Sequence, residues 1–171
     1  MQHFKTISLY CEGIGIKPSK HPHFDIRSFE ENMASVHPQM PVFRHEFYAI
    51  AIKADGDGKV ITGQFTDFPD GASLFFNTPF QLLSWNIVPN WTGYYIMFSQ
   101  DFIAQSNVLA NLLDLFPFLK MDKSIPFNIP ESRLQSILKI YEAIWEEYNG
   151  SKSDKFQLIE AQVYLLLMQV K

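Results

Sequence analysis

Residues 43–102 break into short apolar and aromatic runs, each closed by Asp-Gly, Gly or Pro, and this punctuation limits the fold more than anything else in the chain. Runs this short suit strands better than packed helices, and their near-even spacing marks a small barrel or jelly roll. Phe43-Arg44-His45-Glu46-Phe47-Tyr48-Ala49-Ile50-Ala51-Ile52 predicts one strand, Asp55-Gly56-Asp57-Gly58 a hairpin, and a second strand runs through Val60 and Phe65. Asp70-Gly71 turns the chain into Ala72-Ser73-Leu74-Phe75-Phe76, Pro79 precedes Leu82-Leu83-Ser84-Trp85, and Gly93-Tyr94-Tyr95-Ile96-Met97-Phe98-Ser99 closes the block.

Composition sets the outer limits. A chain of 171 residues with 47% hydrophobic content holds one domain of ordinary size plus an appendage, and is not a disordered chain. Aromatic residues make up 15%, sixteen of them Phe, which a β interior needs as filling; a minority is left to line a pocket. A net charge of −4 without a basic cluster gives little attraction to nucleic acid. The single cysteine, Cys11, excludes an internal disulfide and a Cys-based zinc site and fits a reducing cytoplasm. The start lacks the apolar run of a secretory signal, and the longest apolar stretch, residues 163–168, is far too short to span a bilayer.

On the flanks, residues 4–10 and 23–29 read as strands, with a loop or arm over residues 13–22 and another loop over residues 33–41. His21 and His23 are spaced like a two-ligand pair but have no Cys or carboxylate cluster beside them, and they read as surface histidines. After Ser99 the apolar period changes to 3.6. A short helix starts near Asp101 with Ser99 as cap, a second apolar segment is stopped by Pro117, and residues 125–129 return as an edge strand. Leu134, Ile137, Leu138, Tyr141, Ile144 and Tyr148 then mark a long helix ended by Asn149-Gly150. The last helix is apolar on two sides. Phe156, Ile159, Val163, Leu166 and Val170 form one stripe; Leu158, Leu165 and Met168, interrupted by Gln162 and Gln169, form another. Either the second stripe packs on the preceding helix in an antiparallel pair, or it meets a second chain. The chain stops without a Gly stop or polar tail, as a portion of a longer protein would.

The ordered set Arg-His-x-Phe-Tyr, Gly-x-Gly, Asp-Gly-x-x-x-Phe, Pro, Ser-Trp and Gly-Tyr-x-x-x-Phe-Ser-x-x-Phe resembles the N-terminal cupin-like domain of AraC-type transcription regulators. The resemblance implies a mainly β fold with α: a cupin-like jelly-roll β-barrel over residues 1–100, and a helical dimerisation segment over residues 101–171. It also implies a small-molecule effector, by family analogy a carbohydrate, and a homodimer made through residues 131–171, with Leu158, Gln162, Leu165, Met168 and Gln169 as pairing residues. DNA contact would fall to a helix-turn-helix domain not contained in these residues.

Metal-binding cupins carry His-x-His, a nearby Glu and Pro-x-Gly-x-x-His. Here His45 fits the first position, but Phe47 takes the second, Gln81 replaces the glycine and Leu83 falls where the last His would sit. One imidazole does not hold a divalent metal, so no metal or other cofactor is expected. His45 is open to three readings: a packed histidine, a hydrogen-bond donor to a ligand, or a metal ligand. If His45 faces the interior, strand alternation puts Phe43, Phe47 and Ala49 inside with it, and matching Leu83 to the family's last histidine position implies Leu83, Trp85 and Gln81 inside too, while Tyr95 and Met97 share one face of the closing strand. The candidate ligand-binding set is His45, Phe47, Gln81, Leu83, Trp85, Tyr95 and Met97, and the resemblance to sugar-sensing members of the family implies Trp85 and Tyr95 as the residues that stack on a ligand ring. Three functions follow: an effector sensor that is not an enzyme, a metal-dependent cupin enzyme, or a dimerisation module whose barrel is filled.

Overall fold

A computed structural model describes residues 1–63, 71–120 and 126–171. Among the described residues nine strands form two open sheets. β1 (Gln2–Phe4), β3 (Gln39–His45), β7 (Leu83–Ile87) and β5 (Gly58–Thr62) make a four-stranded sheet in that spatial order. β2 (Phe24–Ser28), β8 (Thr92–Phe98), β4 (Tyr48–Asp55), β6 (Ser73–Asn77) and β9 (Phe127–Asn128) make a five-stranded one. Among the described residues no ladder joins the two sheets, so the fold is mixed β and α with unclosed sheets rather than a closed barrel. The expected strand position Phe65, the turn residue Asp70 and the start of the expected edge strand at Ile125 lie outside the described residues.

Two apolar cores follow from the alternation of the central strands. Phe43, Phe47, Ala49, Ala51, Phe75, Leu83, Tyr95 and Met97 lie in the core between the sheets. Tyr48, Ile50, Ile52, Phe76, Ile96 and Phe98 face a second core, shared with the C-terminal helices. The molecule is thus three layers: small sheet, large sheet, helices.

α5 (Glu131–Tyr148) and α6 (Lys155–Val170) form the outer layer. They run antiparallel: the Arg133 guanidinium donates to the Gln169 carbonyl at one end, and Lys155 Nζ to the Tyr148 carbonyl at the other. Ile137, Tyr141 and Ile144 of α5 and Ile159, Val163 and Leu166 of α6 are buried in the core that the helices share with the large sheet. Two tyrosines fasten α5 to that sheet's backbone, Tyr141 Oη donating to Ile50 O (2.9 Å) and Tyr148 Oη to Phe24 O (3.3 Å). Between β8 and α5 lie α3 (Gln100–Ala104), capped by Ser99 as expected, and the single turn α4 (Leu112–Leu115).

Three expectations are corrected. Residues 4–10 are not one strand: β1 stops at Phe4, Thr6 caps the amide of Leu9, and α1 (Ile7–Ile14) follows. Its buried positions, Ile7, Cys11 and Ile14, recur at helical spacing, and Gly15 ends it at φ 88°, where a side chain would be strained. α1 therefore occupies the start of what read as the loop over residues 13–22. The run of residues 43–52 is two strands, because the chain bends at Glu46-Phe47 and passes from one sheet to the other. Asp55-Gly56-Asp57-Gly58 is no hairpin either. It carries the chain back to the small sheet and is pinned by paired bonds between Asp57 and Asn90 (3.0 and 2.8 Å).

Candidate functional site

On β4 the apolar positions facing the sandwich interior are Ala49 and Ala51; Lys53, two residues on, is buried with its Nζ 5.2 Å from the Trp91 ring centroid. The cross-strand neighbours of the two alanines are larger: Met97 and Tyr95 on β8, Asn77 and Phe75 on β6. Two small side chains between rows of large ones leave a trough in the face of the large sheet. Val60, Leu83, Trp85 and Ile87 form the facing wall. Tyr10 and Ile14 from α1 complete it, with Phe29, Asn32, Met33 and Val36 from the one-turn helix α2 (Phe29–Asn32) and the segment after it. The result is a cavity of about 80 Å³, room for a handful of waters at roughly 10–15 Å³ each.

Of the residues singled out by sequence, Leu83, Trp85, Tyr95 and Met97 line this cavity. Trp85 presents its ring with the indole N–H already donated to His37 O (2.9 Å), and Tyr95 Oη accepts from Asn32 Nδ2 (2.8 Å). Burial pushes the Tyr95 hydroxyl well above the ordinary tyrosine range, which keeps it a neutral donor.

His45, Phe47 and Gln81 are not among the lining residues. His45 is buried and stacked flat on Phe47, with ring centroids 3.9 Å apart and planes 7° apart, and Tyr10 stands edge-on between that pair and the cavity. Burial depresses the His45 pKa to about 3, only partly offset by backbone hydrogen bonds, so the ring is neutral. Its Nδ1 is buried without a partner among the described residues. Gln81 closes a turn instead: its Oε1 accepts from Thr78 N (3.0 Å) while its own N–H reaches Thr78 O (3.3 Å). Among the described residues no group of three or more His, Cys, Asp or Glu converges on a metal position. His23 Nδ1 lies 2.9 Å from Ser99 Oγ, and His21 packs on Phe156 at 4.4 Å.

A second, polar cleft of about 240 Å³ lies along the free edge of β2, lined among others by Lys17, Lys20, Asp25, Arg27, Glu31 and Tyr148. Two of its charges, Arg27 and Asp25, are committed to each other. Arg27 Nε donates to Asp25 at 2.7 Å and its Nη2 to Lys17 O, while Lys20 Nζ donates to Asn149 Oδ1 at 3.0 Å. Burial raises the Asp25 pKa, with Arg27 opposing the shift. These contacts tie the segment after α1 to the sheet, a structural task. Asn32 lines both spaces.

On the outer layer, α6 keeps its second stripe uncovered. Leu158, Leu165 and Met168 are 44, 48 and 45% exposed, and with exposed Ala161 they recur three, four and three residues apart, the spacing of a coiled-coil seam. Gln169 is exposed beside them, and Gln162 is half-buried with its Oε1 unpartnered among the described residues.

Most of the cavity escaped sequence reading. Tyr10 and Ile14 sat in a segment read as strand and loop, and Asn32, Met33 and Val36 lay at or inside a presumed loop. The available signal was Ala49 and Ala51, two small residues at alternate inward positions of a strand otherwise made of bulky ones. No family model matches the chain, and no curated protein matches it. Among the described residues no helix is long and apolar enough to cross a membrane.

Proposed function

We propose that this chain is the effector-sensing and dimerising part of an AraC-type transcription regulator, with its two sheets an open-edged version of a cupin-like jelly roll. A small molecule binds between the sheets, and a second copy packs on the exposed stripe of α6. DNA contact belongs, in this reading, to a helix-turn-helix domain beyond these residues, and the protein works in the cytoplasm. One observation carries the reading: the large sheet touches both parts. One face floors the cavity through Ala49, Ala51, Tyr95 and Met97, and the other carries the helices through Ile50, Ile96 and Phe98. A ligand that shifts β4 or β8 therefore acts on α5 through one packed layer and the Tyr141–Ile50 bond. It changes pairing only by binding the two arrangements with different affinity. The cavity supports a sensor over a module with a filled interior.

Sedimentation equilibrium tests the pairing. The chain should be a dimer at micromolar concentration, and Leu165→Glu, which places a charge on the exposed seam, should be a folded monomer. A wild-type monomer at that concentration, or a dimer indifferent to Leu165→Glu, would refute pairing through α6.

A further inference from the structure

Resting on the sensor reading, we infer that the cavity takes an uncharged, flat aromatic molecule that donates one hydrogen bond, and takes neither a carbohydrate nor a carboxylate. The inference comes from counting polar groups that remain free to meet a ligand. None of the described lining residues carries a charge, and the buried Lys53 ammonium stands against the Trp91 ring, so a charged guest would have no charged lining group to pair with directly. The two indole N–H groups are spent on backbone carbonyls, Trp85 on His37 and Trp91 on Asp57 (2.9 and 2.8 Å). Both N–H bonds of the Asn32 amide are spent as well, on Ser28 O (3.2 Å) and Tyr95 Oη (2.8 Å). Beside the Tyr10 hydroxyl and the Asn32 side-chain carbonyl on the α1–α2 side of the lining, two groups stand out on the large sheet. Asn77 Oδ1 is a buried acceptor without a partner among the described residues, and the Tyr95 hydroxyl, which accepts from Asn32, still has its proton to give.

The sheet register separates these two groups. Tyr95 pairs with Ala51 and Asn77 with Ala49, so they stand two strands and two residues apart, on the order of 12 Å between Cα atoms. Between them lie the two alanines, walled by Phe75, Trp85 and Trp91. That space suits a ring, since aromatic walls meet a ring by stacking and edge contacts. A sugar brings a hydroxyl on most of its carbons and would leave several unpaired, each at a cost, because beside its two committed indoles the described lining offers side-chain polar groups only from Tyr10, Asn32, Asn77 and Tyr95. A phenol-like or indole-like molecule has one donor for Asn77 and an apolar remainder for the trough.

Calorimetric titration of the full chain with phenol, toluene, benzoate and arabinose separates the possibilities. Phenol and toluene have nearly the same shape and differ in the donor. Both should bind the wild type, and Ala51→Leu, which fills the trough, should abolish both. Asn77→Ala should weaken phenol about tenfold, the worth of one hydrogen bond, and leave toluene within about twofold. Asn77→Ala leaves the apolar walls intact, so the comparison survives if Ala51→Leu fails to fold. Equal loss of phenol and toluene in Asn77→Ala would overturn the assigned polar end. Arabinose or benzoate binding that Ala51→Leu removes would overturn the ligand class and leave the sensor reading standing. Failure of all four compounds to bind the wild type would overturn both.

Discussion

Replacing His45 by leucine should make the protein less sensitive to acid, by an amount the structure sets. The imidazole is 1% exposed and packed against Phe47, Tyr10 and Phe43, with Nδ1 unpartnered among the described residues. Its pKa is depressed from the ordinary 6.5 to about 3. Below pH 6.5 the unfolded chain takes up a proton at this position and the folded chain does not. Stability from this group is therefore full above pH 6.5 and lost progressively as pH falls toward 3. Integrated down to pH 4, the loss is roughly 3 kcal/mol, a shift of ~1–2 M in urea midpoint for a typical slope. Leucine has nearly the same volume, fits an apolar niche and does not titrate. Urea unfolding of wild type and His45→Leu at pH 8 and pH 4 isolates the effect, because the other titrating groups are common to both proteins. The stability difference should move by about 3 kcal/mol in favour of the variant at pH 4. A difference constant to within ~0.5 kcal/mol would mean that His45 ionises as in the unfolded chain and is not sealed as described.

Two further substitutions test the packing on either side of the site. In Gly13→Ala the new Cβ would fall 2.3 Å from Cε1 of the buried Phe4 ring, so that ring or the elements that hold it must shift; thermal unfolding should show a loss of about 1–3 kcal/mol despite alanine's better helix propensity. Tyr141→Phe removes the hydroxyl bonded to Ile50 O and should cost ~1 kcal/mol. In Tyr141→Phe the affinity of any cavity ligand should stay unchanged while the ligand's effect on dimer dissociation weakens; loss of affinity itself would place the mutation's effect in the cavity.

Particular elements show how far the sequence carried the structure. The alternation in β8 sorted Tyr95 and Met97 from Tyr94, Ile96 and Phe98 because both faces of that strand are covered and polar interruptions are few. The α5 and α6 stripes were legible because helical periodicity survives over long elements. What stayed hidden was the destination of each strand. Residues 43–52 keep one inward face through the bend at Glu46-Phe47, and nothing in the alternation says that β3 and β4 belong to different sheets. Local signals misled at residues 4–10, where Phe4, Ile7, Leu9 and Tyr10 look strand-like. The helix there depends on Thr6 capping and on the burial of Ile7, Cys11 and Ile14, a tertiary effect. The candidate site was legible only in part for the same reason: Leu83, Trp85, Tyr95 and Met97 lie on regular strands and could be assigned a face, whereas Gln81 sits in a turn and Tyr10, Ile14, Asn32, Met33 and Val36 come from helices and a connection that strand alternation does not place.

The claim on which everything else rests is that the space over Ala49 and Ala51 is open to an apolar guest. Diffraction from a crystal of the chain under xenon pressure tests it without knowledge of the natural ligand, since xenon enters dry apolar cavities. Xenon density should appear between Ala49 and Ala51 on one side and Leu83 and Trp85 on the other. Those four side chains in direct contact, with no xenon between the sheets, would contradict the claim and leave a filled sandwich.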